Sequence, residues 1–484
     1  MPTRRRPLHT LILAAGRGKR MKSSRIKLLH DVAGKPMLSW VLSAVRAVPA
    51  SAHYVVLGNQ AEQLRPLVEG SVFRVLIQRE QRGTGHAVMQ AERALDGARG
   101  DLLILNGDIP AIRPSTLKAF LAAHAKSGAS ASVLAATLDD PSGYGRILRD
   151  GLGQFSGIVE ERDATAEERR IREVSVGIYC IDVPLLFRAL RRTRPDNSQG
   201  EFYLPDVLGI LKADDRKVVV HTHDEPWEVL GVNSRSELAR VARLIGGRIL
   251  ASWMDRGVTI MDPDSTFIGP DVRIGRDTVL YPGVRLAGKT SIGSDCVVHQ
   301  GCVLTDVKVD AGATLLPFCV AAESRIGPRT QIGPFAHLRP GTVLGAEVRI
   351  GNFVELKKAR VGHGTKANHL SYLGDADIGS GCNIGAGTIT CNYDGVAKHK
   401  TILENGVFIG SDTQLVAPVR VRRGAYVGSG TTVVEEVPAG SLALSRVRQK
   451  NIEGWVTRRK RERRAEEART ARLHARSTAA RRAR

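Results

Sequence analysis

The amino-acid sequence predicts two folds in one chain: an α/β domain with a mostly parallel sheet, followed by a parallel β-helix. The second prediction rests on a period of six, because a small or branched apolar residue returns at every sixth position over long stretches of residues 266–437. The first rests on short apolar runs that alternate with helical stretches in the N-terminal half. A chain of 484 residues is also too long for one ordinary hydrophobic core.

The period of six fits neither an α-helix nor simple strand alternation, but it is typical of a parallel β-helix in which each hexapeptide forms a short strand and a turn. Coils stacked about 4.8 Å apart place one apolar residue per face in an inward column. The phase slips after Leu304 and again after Ile350. The predicted inward residues are Ile268, Ile274, Leu280, Leu286, Ile292, Val298, Leu304, Ile326, Ile332, Leu338, Leu344, Ile350, Ile409, Leu415, Val421, Val427 and Val433.

Composition excludes several classes of protein. The hydrophobic content of 42% and the mean hydropathy of −0.13 are typical of a globular chain, and no run of 18 apolar residues predicts a membrane span. The N-terminus has no signal-peptide core, so we expect a cytoplasmic protein. The six cysteines include no C-x-x-C pair, and therefore neither a disulfide framework nor a zinc site is predicted.

Positive charge is concentrated at the C-terminus. The formal net charge is +22, and residues 448–484 contain 14 Lys/Arg against 4 Asp/Glu, which gives 14 − 4 = +10. This basic tail is either a solvated helix or a disordered arm. Contact with polyanions stays open, but nucleic acid is not expected as a partner.

In the N-terminal half, apolar runs predict strands at residues 9–13, 54–57, 73–77, 102–105 and 131–136. The first run leads into a glycine-rich segment, residues 14–21, whose backbone N–H groups can approach phosphate oxygens while Arg20 and Lys27 add positive charge. Asp108 follows the fourth run. Since ligands bind at the carboxyl ends of such strands, Asp108 is either a magnesium ligand or a turn aspartate.

Two further segments differ from their surroundings. Residues 236–255 have apolar side chains at helical spacing and predict a helical arm between the domains. Residues 390–400 are polar, turn-rich and out of phase, so we expect them to leave the coil as a loop. A dense polar set precedes this loop: Arg339, Glu355, Lys357, His369 and Tyr372.

The segment Leu13-Ala14-Ala15-Gly16-Arg17-Gly18-Lys19-Arg20-Met21 resembles the signature of the sugar-1-phosphate nucleotidylyltransferases. Together with Gln78 and residues 83–87, 143–146, 157–160 and 231–233, it is similar to the pyrophosphorylase half of one bacterial family. That family is the bifunctional UDP-N-acetylglucosamine pyrophosphorylases and glucosamine-1-phosphate N-acetyltransferases. The resemblance covers residues 11–455.

The resemblance implies a Rossmann-like α/β nucleotidyltransferase domain followed by a left-handed β-helix of hexapeptide repeats; the left hand comes from the resemblance alone. The implied domains are residues 1–235 (pyrophosphorylase), 236–257 (helical linker), 258–447 (acetyltransferase β-helix) and 448–484 (basic tail). It also implies a homotrimer. The small-molecule partners are glucosamine-1-phosphate, N-acetylglucosamine-1-phosphate, UTP and acetyl-CoA, with Mg²⁺ as cofactor.

For the uridylyl-transfer site, the resemblance implies roles for individual residues. Asp108 and Asn233 would hold Mg²⁺. The residues implied in binding UTP are Leu13, Ala14, Ala15, Gly16, Gly18, Arg20, Lys27, Gln78, Gly83 and Thr84. Those implied in binding the sugar phosphate are Gly145, Glu160, Ser175 and Asn233.

For the acetyl-transfer site, the resemblance makes His369 the general base, a role that suits a side chain able to take up a proton near neutral pH. Glu355 would position His369 or the amine. The residues implied in binding the acetyl acceptor are Arg339, Glu355, Lys357, Tyr372, Asn383, Asn392 and Tyr393. Those implied in binding acetyl-CoA are Ala386, Ser411, Gly428 and Arg446.

Three positions depart from the family pattern. Lys19 stands where threonine is usual, Ile26 replaces a proline, and Ser175 replaces an asparagine at a sugar-binding position. Because a serine hydroxyl has a shorter reach than an amide, the last change predicts weaker sugar binding. Two alternatives therefore accompany the bifunctional enzyme: an acetyltransferase whose first domain takes another sugar phosphate, and a non-catalytic trimeric scaffold.

Overall fold

The structure, a computed structural model, describes residues 6–16, 18–58, 61–445 and 447–482. It forms two compact units, residues 1–353 and 354–484. The first unit contains an α/β domain and β-helix coils, and the second contains further coils and a C-terminal helix. The domain boundaries given above stay predictions.

The α/β domain contains a mixed sheet with helices on both faces. Its strands are β1 (Leu8–Ala14), β2 (Asp31–Val32), β3 (Lys35–Pro36), β4 (Ala52–Leu57), β5 (Phe73–Ile77), β6 (Asp101–Asn106), β7 (Ala131–Thr137), β8 (Gly145–Arg149), β9 (Phe155–Val159), β10 (Glu173–Asp182) and β11 (Val218–His223). The helices of the first unit are α1 (Met37–Arg46), α2 (Ala61–Val68), α3 (Thr84–Met89), α4 (Pro114–Ser127), α5 (Val183–Leu190), α6 (Asp206–Ala213), α7 (Pro226–Val229) and α8 (Arg235–Met254). Short 3-10 helices span Lys19–Met21, Lys27–Leu29, Arg93–Leu95 and Glu168–Arg170.

The main sheet has the strand order β11-β7-β10-β6-β1-β4-β5, with β8 and β9 joined to it through β10. The pairs of β1 with β4 and β6 are parallel, and β10 is antiparallel to both of its neighbours in this order. The successive residues Leu11 and Ile12 are both fully buried and pack into separate clusters. Since neighbouring side chains of a strand point to opposite faces, helices cover both faces of this sheet. The five predicted strands are confirmed.

The β-helix coils are built from short parallel strands in three ladders. In the first unit the strands are β12 (Thr259–Ile260), β13 (Phe267–Ile268), β14 (Arg273–Ile274), β15 (Val279–Leu280), β16 (Arg285–Ala287), β17 (Ser291–Ile292), β18 (Val297–Val298), β19 (Val303–Thr305), β20 (Lys308–Val309), β21 (Thr314–Leu315), β22 (Val320–Ala322), β23 (Arg325–Ile326), β24 (Gln331–Ile332), β25 (His337–Leu338), β26 (Val343–Leu344) and β27 (Arg349–Asn352).

In the second unit the strands are β28 (Glu355–Lys357), β29 (Arg360–Val361), β30 (Lys366–His369), β31 (Tyr372–Gly374), β32 (Ala376–Ile378), β33 (Asn383–Ile384), β34 (Ile389–Cys391), β35 (Thr401–Leu403), β36 (Phe408–Ile409), β37 (Gln414–Val416), β38 (Val419–Val421), β39 (Tyr426–Val427), β40 (Thr432–Val433) and β41 (Leu442–Ala443). The last helix is α9 (Trp455–Arg482).

All the predicted inward residues of the coils are buried, which confirms the six-residue pattern. The pairing register explains the phase slip. Ile268 pairs with Leu286, a sequence offset of 286 − 268 = 18, whereas Leu304 pairs with Ala321, an offset of 321 − 304 = 17. One residue is therefore absent from a corner while the inward column continues.

The predicted departure from the coil at residues 390–400 is confirmed for residues 392–400, whereas Thr390 and Cys391 still belong to β34 and pair with Leu415 and Val416. Before it, Glu355 pairs with Tyr372, a sequence offset of 372 − 355 = 17. Across it, Asp377 pairs with Ile402, an offset of 402 − 377 = 25. The offset therefore grows by 25 − 17 = 8 at this point, and the loop accounts for the growth. Strand pairing resumes afterwards between Ile409 and Val427, where the offset is 427 − 409 = 18.

Candidate active sites

A cavity of about 960 Å³ opens where β1 and β6 end. It brings together every residue predicted for uridylyl transfer. These are Leu13, Ala14, Ala15, Gly16, Gly18, Arg20, Lys27, Gln78, Gly83, Thr84, Asp108, Gly145, Glu160, Ser175 and Asn233. The carboxyl-end position of the cavity is the one expected for parallel α/β sheets.

Glycine is required at two points of the cavity wall. Gly18 has a φ of +62°, and a Cβ atom there would lie 2.5 Å from Cβ of Lys27. Gly83 has a φ of +103°, and its Cβ atom would lie 2.5 Å from the carbonyl oxygen of Phe202. Both positions combine a left-handed backbone with a close approach, so any side chain would move the wall. Gln78 lies beside the second point and donates to the carbonyl of Gly83 at 3.1 Å.

Lys27, Asp108 and Asn233 converge at the phosphate end of the cavity. The ammonium of Lys27 donates to Asp108 Oδ2 at 2.5 Å and to Asn233 Oδ1 at 2.8 Å. The second carboxylate oxygen, Asp108 Oδ1, is buried and has no hydrogen-bond partner among the described residues. Side chains far apart in sequence thus place two oxygens, Asp108 Oδ2 and Asn233 Oδ1, against one positive charge.

The hydrogen bonds at the start of α8 fix the position of Asn233. The side chain of Ser234 accepts from the backbone N–H of Glu237, and the Glu237 carboxylate accepts from the N–H groups of Ser234 and Asn233, the latter at 2.5 Å. This is a capping box, which satisfies free N–H groups at a helix start. The cap holds the backbone of Asn233 while its side chain contacts Lys27.

Ser175, Tyr179 and Glu160 form another part of the cavity wall. The hydroxyls of Ser175 and Tyr179 are 3.1 Å apart and buried. Burial, and then the negative charge of Asp206, raises the pKa of Glu160. Burial also raises the pKa of Tyr179, so its hydroxyl stays protonated. The two hydroxyls are neutral hydrogen-bonding groups, which can bind a sugar.

Tyr179 was missed from the sequence, although its spacing from Ser175 contains a signal. Residues i and i+4 of a strand lie on the same face, and both belong to β10. Tyr144 was also missed: it lines the cavity and donates from its hydroxyl to the carbonyl of Gly231 at 3.3 Å. Burial raises the pKa of Tyr144 as well.

In the second unit, the candidates for acetyl transfer lie on neighbouring coils. Glu355 and Lys357 belong to β28 and pair with Tyr372 and Gly374 of β31. Gly374 allows close packing here, because a Cβ atom on it would lie 2.4 Å from the Tyr372 hydroxyl oxygen. Asn383 lies on β33, the neighbour of β30, which ends at His369.

The loop that leaves the coil approaches this set through Asn392. The Asn392 side chain donates to Asp375 Oδ2 at 2.6 Å and lies 3.5 Å from the hydroxyl of Tyr372. Tyr393 is exposed, and its hydroxyl donates to the carbonyl of Gly395 within the same loop at 2.6 Å. The structure therefore brings Asn392 to Tyr372 and leaves Tyr393 directed at its own loop.

The residues predicted for acetyl-CoA follow one corner of successive coils. Ile384 pairs with Ala367 in the preceding coil and with Ile409 in the following one, and Ile409 pairs with Val427. Counting on from these pairs, His369, Ala386 and Ser411 occupy equivalent positions, and Gly428 follows Val427 directly. The predicted base, His369, thus shares one edge of the coil with Ala386 and Ser411, which are predicted to bind acetyl-CoA.

Two predicted residues stand apart from this group. Arg339 lies in the first compact unit, and its carbonyl accepts from the hydroxyl of Thr342 at 2.7 Å. Its role in binding the acetyl acceptor stays a prediction. Arg446 lies outside the described residues.

The described cysteines are free thiols, and five of the six are buried. Among the described residues, no group of three or more His, Cys, Asp or Glu side chains is arranged to hold a metal ion. A search of the described helices finds none that combines the length and apolar character needed to cross a bilayer.

Comparison with known proteins supports both halves of this arrangement. Residues 10–174 match the family described as the MobA-like NTP transferase domain, and residues 323–358 match the bacterial transferase hexapeptide family. The fold and sites therefore define a transferase that joins a nucleotidyltransferase domain to a left-handed hexapeptide β-helix.

Full-length relatives narrow this class to one family. The bifunctional protein GlmU of Trichlorobacter lovleyi is 48% identical over 451 residues, which cover 93% of this chain and 98% of the relative. Proteins of the same name from Geobacter metallireducens and Brevibacillus brevis are each 46% identical, over 93% and 92% of this chain and 98% and 96% of their own lengths. The chain belongs to the bifunctional GlmU family. It is a bifunctional enzyme with acetyltransferase and uridylyltransferase activities, and nothing in these comparisons supports a non-catalytic scaffold.

Proposed function

We propose that the chain acetylates glucosamine-1-phosphate with acetyl-CoA and then transfers uridylyl from UTP to the N-acetylglucosamine-1-phosphate formed. The products are UDP-N-acetylglucosamine and pyrophosphate. The observation that carries the second step is that every residue predicted for it lines one cavity. The shared coil edge of His369, Ala386 and Ser411 supports the first.

For uridylyl transfer, an oxygen of the sugar phosphate attacks the α-phosphorus of UTP and pyrophosphate leaves. Both reactants are polyanions, so the main task of the protein is to bring them together and to offset their charge. Lys27 and Arg20 supply cations, and the glycine-rich segment supplies backbone N–H groups. The part of the cavity wall at Ser175 accommodates the sugar.

The donor set around Asp108 fits a divalent cation. Asp108 Oδ1 is buried without a hydrogen-bond partner among the described residues, and the other carboxylate oxygen and Asn233 Oδ1 already face a cation. Mg²⁺ prefers oxygen ligands and, beside nucleotide phosphates, needs only one or two from protein. We therefore assign Asp108 and Asn233 as its protein ligands. When bound, Mg²⁺ would neutralise phosphate charge; Lys27 pairs with the same carboxylate and keeps it oriented.

For acetyl transfer, the amine nitrogen of glucosamine-1-phosphate attacks the thioester carbonyl of acetyl-CoA. His369 takes the proton from nitrogen, the new amide bond forms, and the carbon–sulfur bond breaks to release CoA. General-base help of this kind is worth roughly 10²- to 10⁴-fold. Lys357 and Arg339 would offset the charge of the sugar phosphate, while Tyr372 and Asn392, which contact each other, would orient the amino sugar.

The acetyl-transfer site also depends on how copies of the chain assemble. Hexapeptide coils expose their faces and cannot enclose a deep pocket alone, so we propose that the chain works as a homotrimer whose acetyl-transfer sites lie between subunits. A cytoplasmic location remains our prediction from the sequence.

The test is to incubate the protein with glucosamine-1-phosphate, acetyl-CoA, UTP and Mg²⁺, and to measure CoA, N-acetylglucosamine-1-phosphate and UDP-N-acetylglucosamine separately. We expect the acetylated sugar phosphate to appear first and the nucleotide sugar to follow. If N-acetylglucosamine-1-phosphate is not consumed with UTP but another sugar phosphate is, the proposed substrate of the α/β domain is wrong.

A further inference from the structure

The composition of helix α9 (Trp455–Arg482) does not suit packing against a protein core. It is 28 residues long, and every described side chain in it is exposed. A helix held by a protein core has an apolar stripe along one side. In α9 the large apolar side chains are only Trp455, Val456 and Leu473, too few to form one.

The exposed side chains of α9 are mainly cationic. Residues 455–475 contain eight Lys/Arg against three Glu, an excess of 8 − 3 = +5. At about 100° of rotation per residue, these cations point to all sides of the helix. They are Arg458, Arg459, Lys460, Arg461, Arg463, Arg464, Arg469 and Arg472.

Few of these charges are neutralised within the helix. Arg459 lies 3.4 Å from Glu462, and Arg463 lies 3.2 Å from Glu467. In the part of α9 that the structure describes, the other six cations, 8 − 2, have no carboxylate within ion-pair distance. An arm with this excess of like charge repels itself unless a polyanion neutralises it.

We propose that α9 binds nucleic acid through the phosphate backbone and without base-sequence preference. The cations at positions 458–472 extend over about 21 Å of helix at about 1.5 Å per residue, against a duplex with about one charge per 1.7 Å. A helix about 10–12 Å across fits a major groove about 12 Å wide, and cations on all sides then face both phosphate walls. The absence of Asn and Gln from α9 argues against adenine recognition.

An anionic membrane is the main competing partner, and the composition of α9 disfavours it. Helices that lie in a membrane interface bury an apolar face opposite a charged one. In α9 the cations are distributed around the whole circumference, so any orientation on a bilayer would leave some of them facing away from the lipid headgroups. Phosphate groups on both walls of a groove match this distribution better.

The experiment measures fluorescence anisotropy of a labelled mixed-sequence DNA duplex of about 20 base pairs, titrated with the full chain between about 50 and 200 mM salt. Neutralising about five to eight phosphates should lower the affinity on the order of 10³- to 10⁴-fold across this range. A chain ending at Gly454 should bind at least about tenfold more weakly at the lower salt. Both transferase activities of this shortened chain report whether it is folded.

Two matched variants separate charge from base recognition. The first is the combined Arg461→Gln, Arg464→Gln, Arg469→Gln and Arg472→Gln variant, which keeps helix-forming side chains but should reduce the salt slope by about four. The second places Lys at the same four positions and should keep the wild-type slope, because phosphates respond to charge and not to the guanidinium fork.

Three results would overturn the proposal. One is equal duplex affinity of the full chain and the chain ending at Gly454. Another is loss of binding in the Lys variant as severe as in the Gln variant. The third is binding to phosphatidylglycerol vesicles without binding to the duplex, which would assign α9 to a membrane surface.

Discussion

The Tyr179→Phe substitution tests whether the Tyr179 hydroxyl supplies hydrogen bonds that an asparagine at position 175 would make. The Ser175 and Tyr179 hydroxyls lie 3.1 Å apart in the wall of the cavity, where we propose that the sugar binds. One hydrogen is shared between them, which leaves the pair with one free donor and free acceptor lone pairs. An asparagine amide offers two donors and two acceptor lone pairs, so the hydroxyl pair supplies fewer donors but a comparable set of acceptors. We therefore expect Tyr179 to compensate in part for the missing amide at position 175.

The expected effect follows from the loss of one buried hydrogen bond. Tyr179 is only 5% exposed, so water cannot readily replace its hydroxyl. A bond of this kind contributes about 0.5–1.5 kcal/mol, which corresponds to about twofold to tenfold in affinity. Tyr179→Phe should raise KM for N-acetylglucosamine-1-phosphate by that factor and change kcat by less than about twofold, because a contact to the sugar contributes to binding and takes no part in the reaction at phosphorus.

The assay is a set of saturation curves for both substrates with four proteins: wild type, Tyr179→Phe, Ser175→Asn and the double variant. KM for UTP is the internal control and should not change. Ser175→Asn alone should alter the sugar KM by less than about twofold, and in the double variant it should restore most of the affinity, a non-additive result expected of residues in contact. An unchanged sugar KM in Tyr179→Phe, in an active enzyme, would refute the compensation.

The remaining predictions concern separate parts of the chain. His369→Ala should lower acetyl transfer roughly 10²- to 10⁴-fold and leave uridylyl transfer unchanged, measured in separate assays. Asp108→Asn should do the reverse and raise the Mg²⁺ concentration needed for half-maximal uridylyl transfer, because Asp108 is the charged ligand. Burial, with the nearby charge of Asp163, raises the pKa of Asp206 to about 6 from 3.8, so its charged form is unfavourable in the fold. The free-energy cost of the charged Asp206 carboxylate is absent below its ordinary pKa of 3.8 and complete above pH 6. Asp206→Asn should therefore stabilise the protein by about 1 kcal/mol at pH 7.5, after allowance for partial exposure. It should not stabilise the protein at pH 3.5. Truncation after Trp455 should preserve both activities and the trimer, by assay and size-exclusion chromatography.

A different experimental result would contradict each of these predictions. Parallel loss of both activities in His369→Ala or Asp108→Asn would argue against independent sites. A gain in the unfolding midpoint of Asp206→Asn that does not depend on pH would assign the effect to packing instead of charge. A shortened chain that elutes as a monomer would give α9 a part in assembly.

The sequence was most informative where a pattern is periodic or local. The six-residue period located the inward column because each repeat meets the same stereochemical demand at the same place. The five parallel strands were visible as apolar runs because the sheet is covered on both faces. Likewise, the glycine-rich segment at residues 14–21 was visible because glycines act through local backbone conformation, but its assignment to UTP came from the family resemblance.

Features that depend on distant partners could not be found in this way. The antiparallel direction of β10 follows from long-range pairing with β6, which leaves no period in the sequence. The sharing of Asp108 and Asn233 by the ammonium of Lys27 joins side chains 81 and 206 residues away from it. The partner of Ser175 was within reach, since Tyr179 lies four residues on, but only the cavity indicates that both hydroxyls face a ligand.

The loop at residues 392–400 leaves the strands before and after it in register, since Asp377 still pairs with Ile402. A corner of the coil is thus a point where peptide length is free to vary in evolution while the inward column is preserved. The loop can change there without any compensating change in the core. The same property makes this corner a suitable place to graft a foreign peptide, and the rest of the coil would display it on a rigid support.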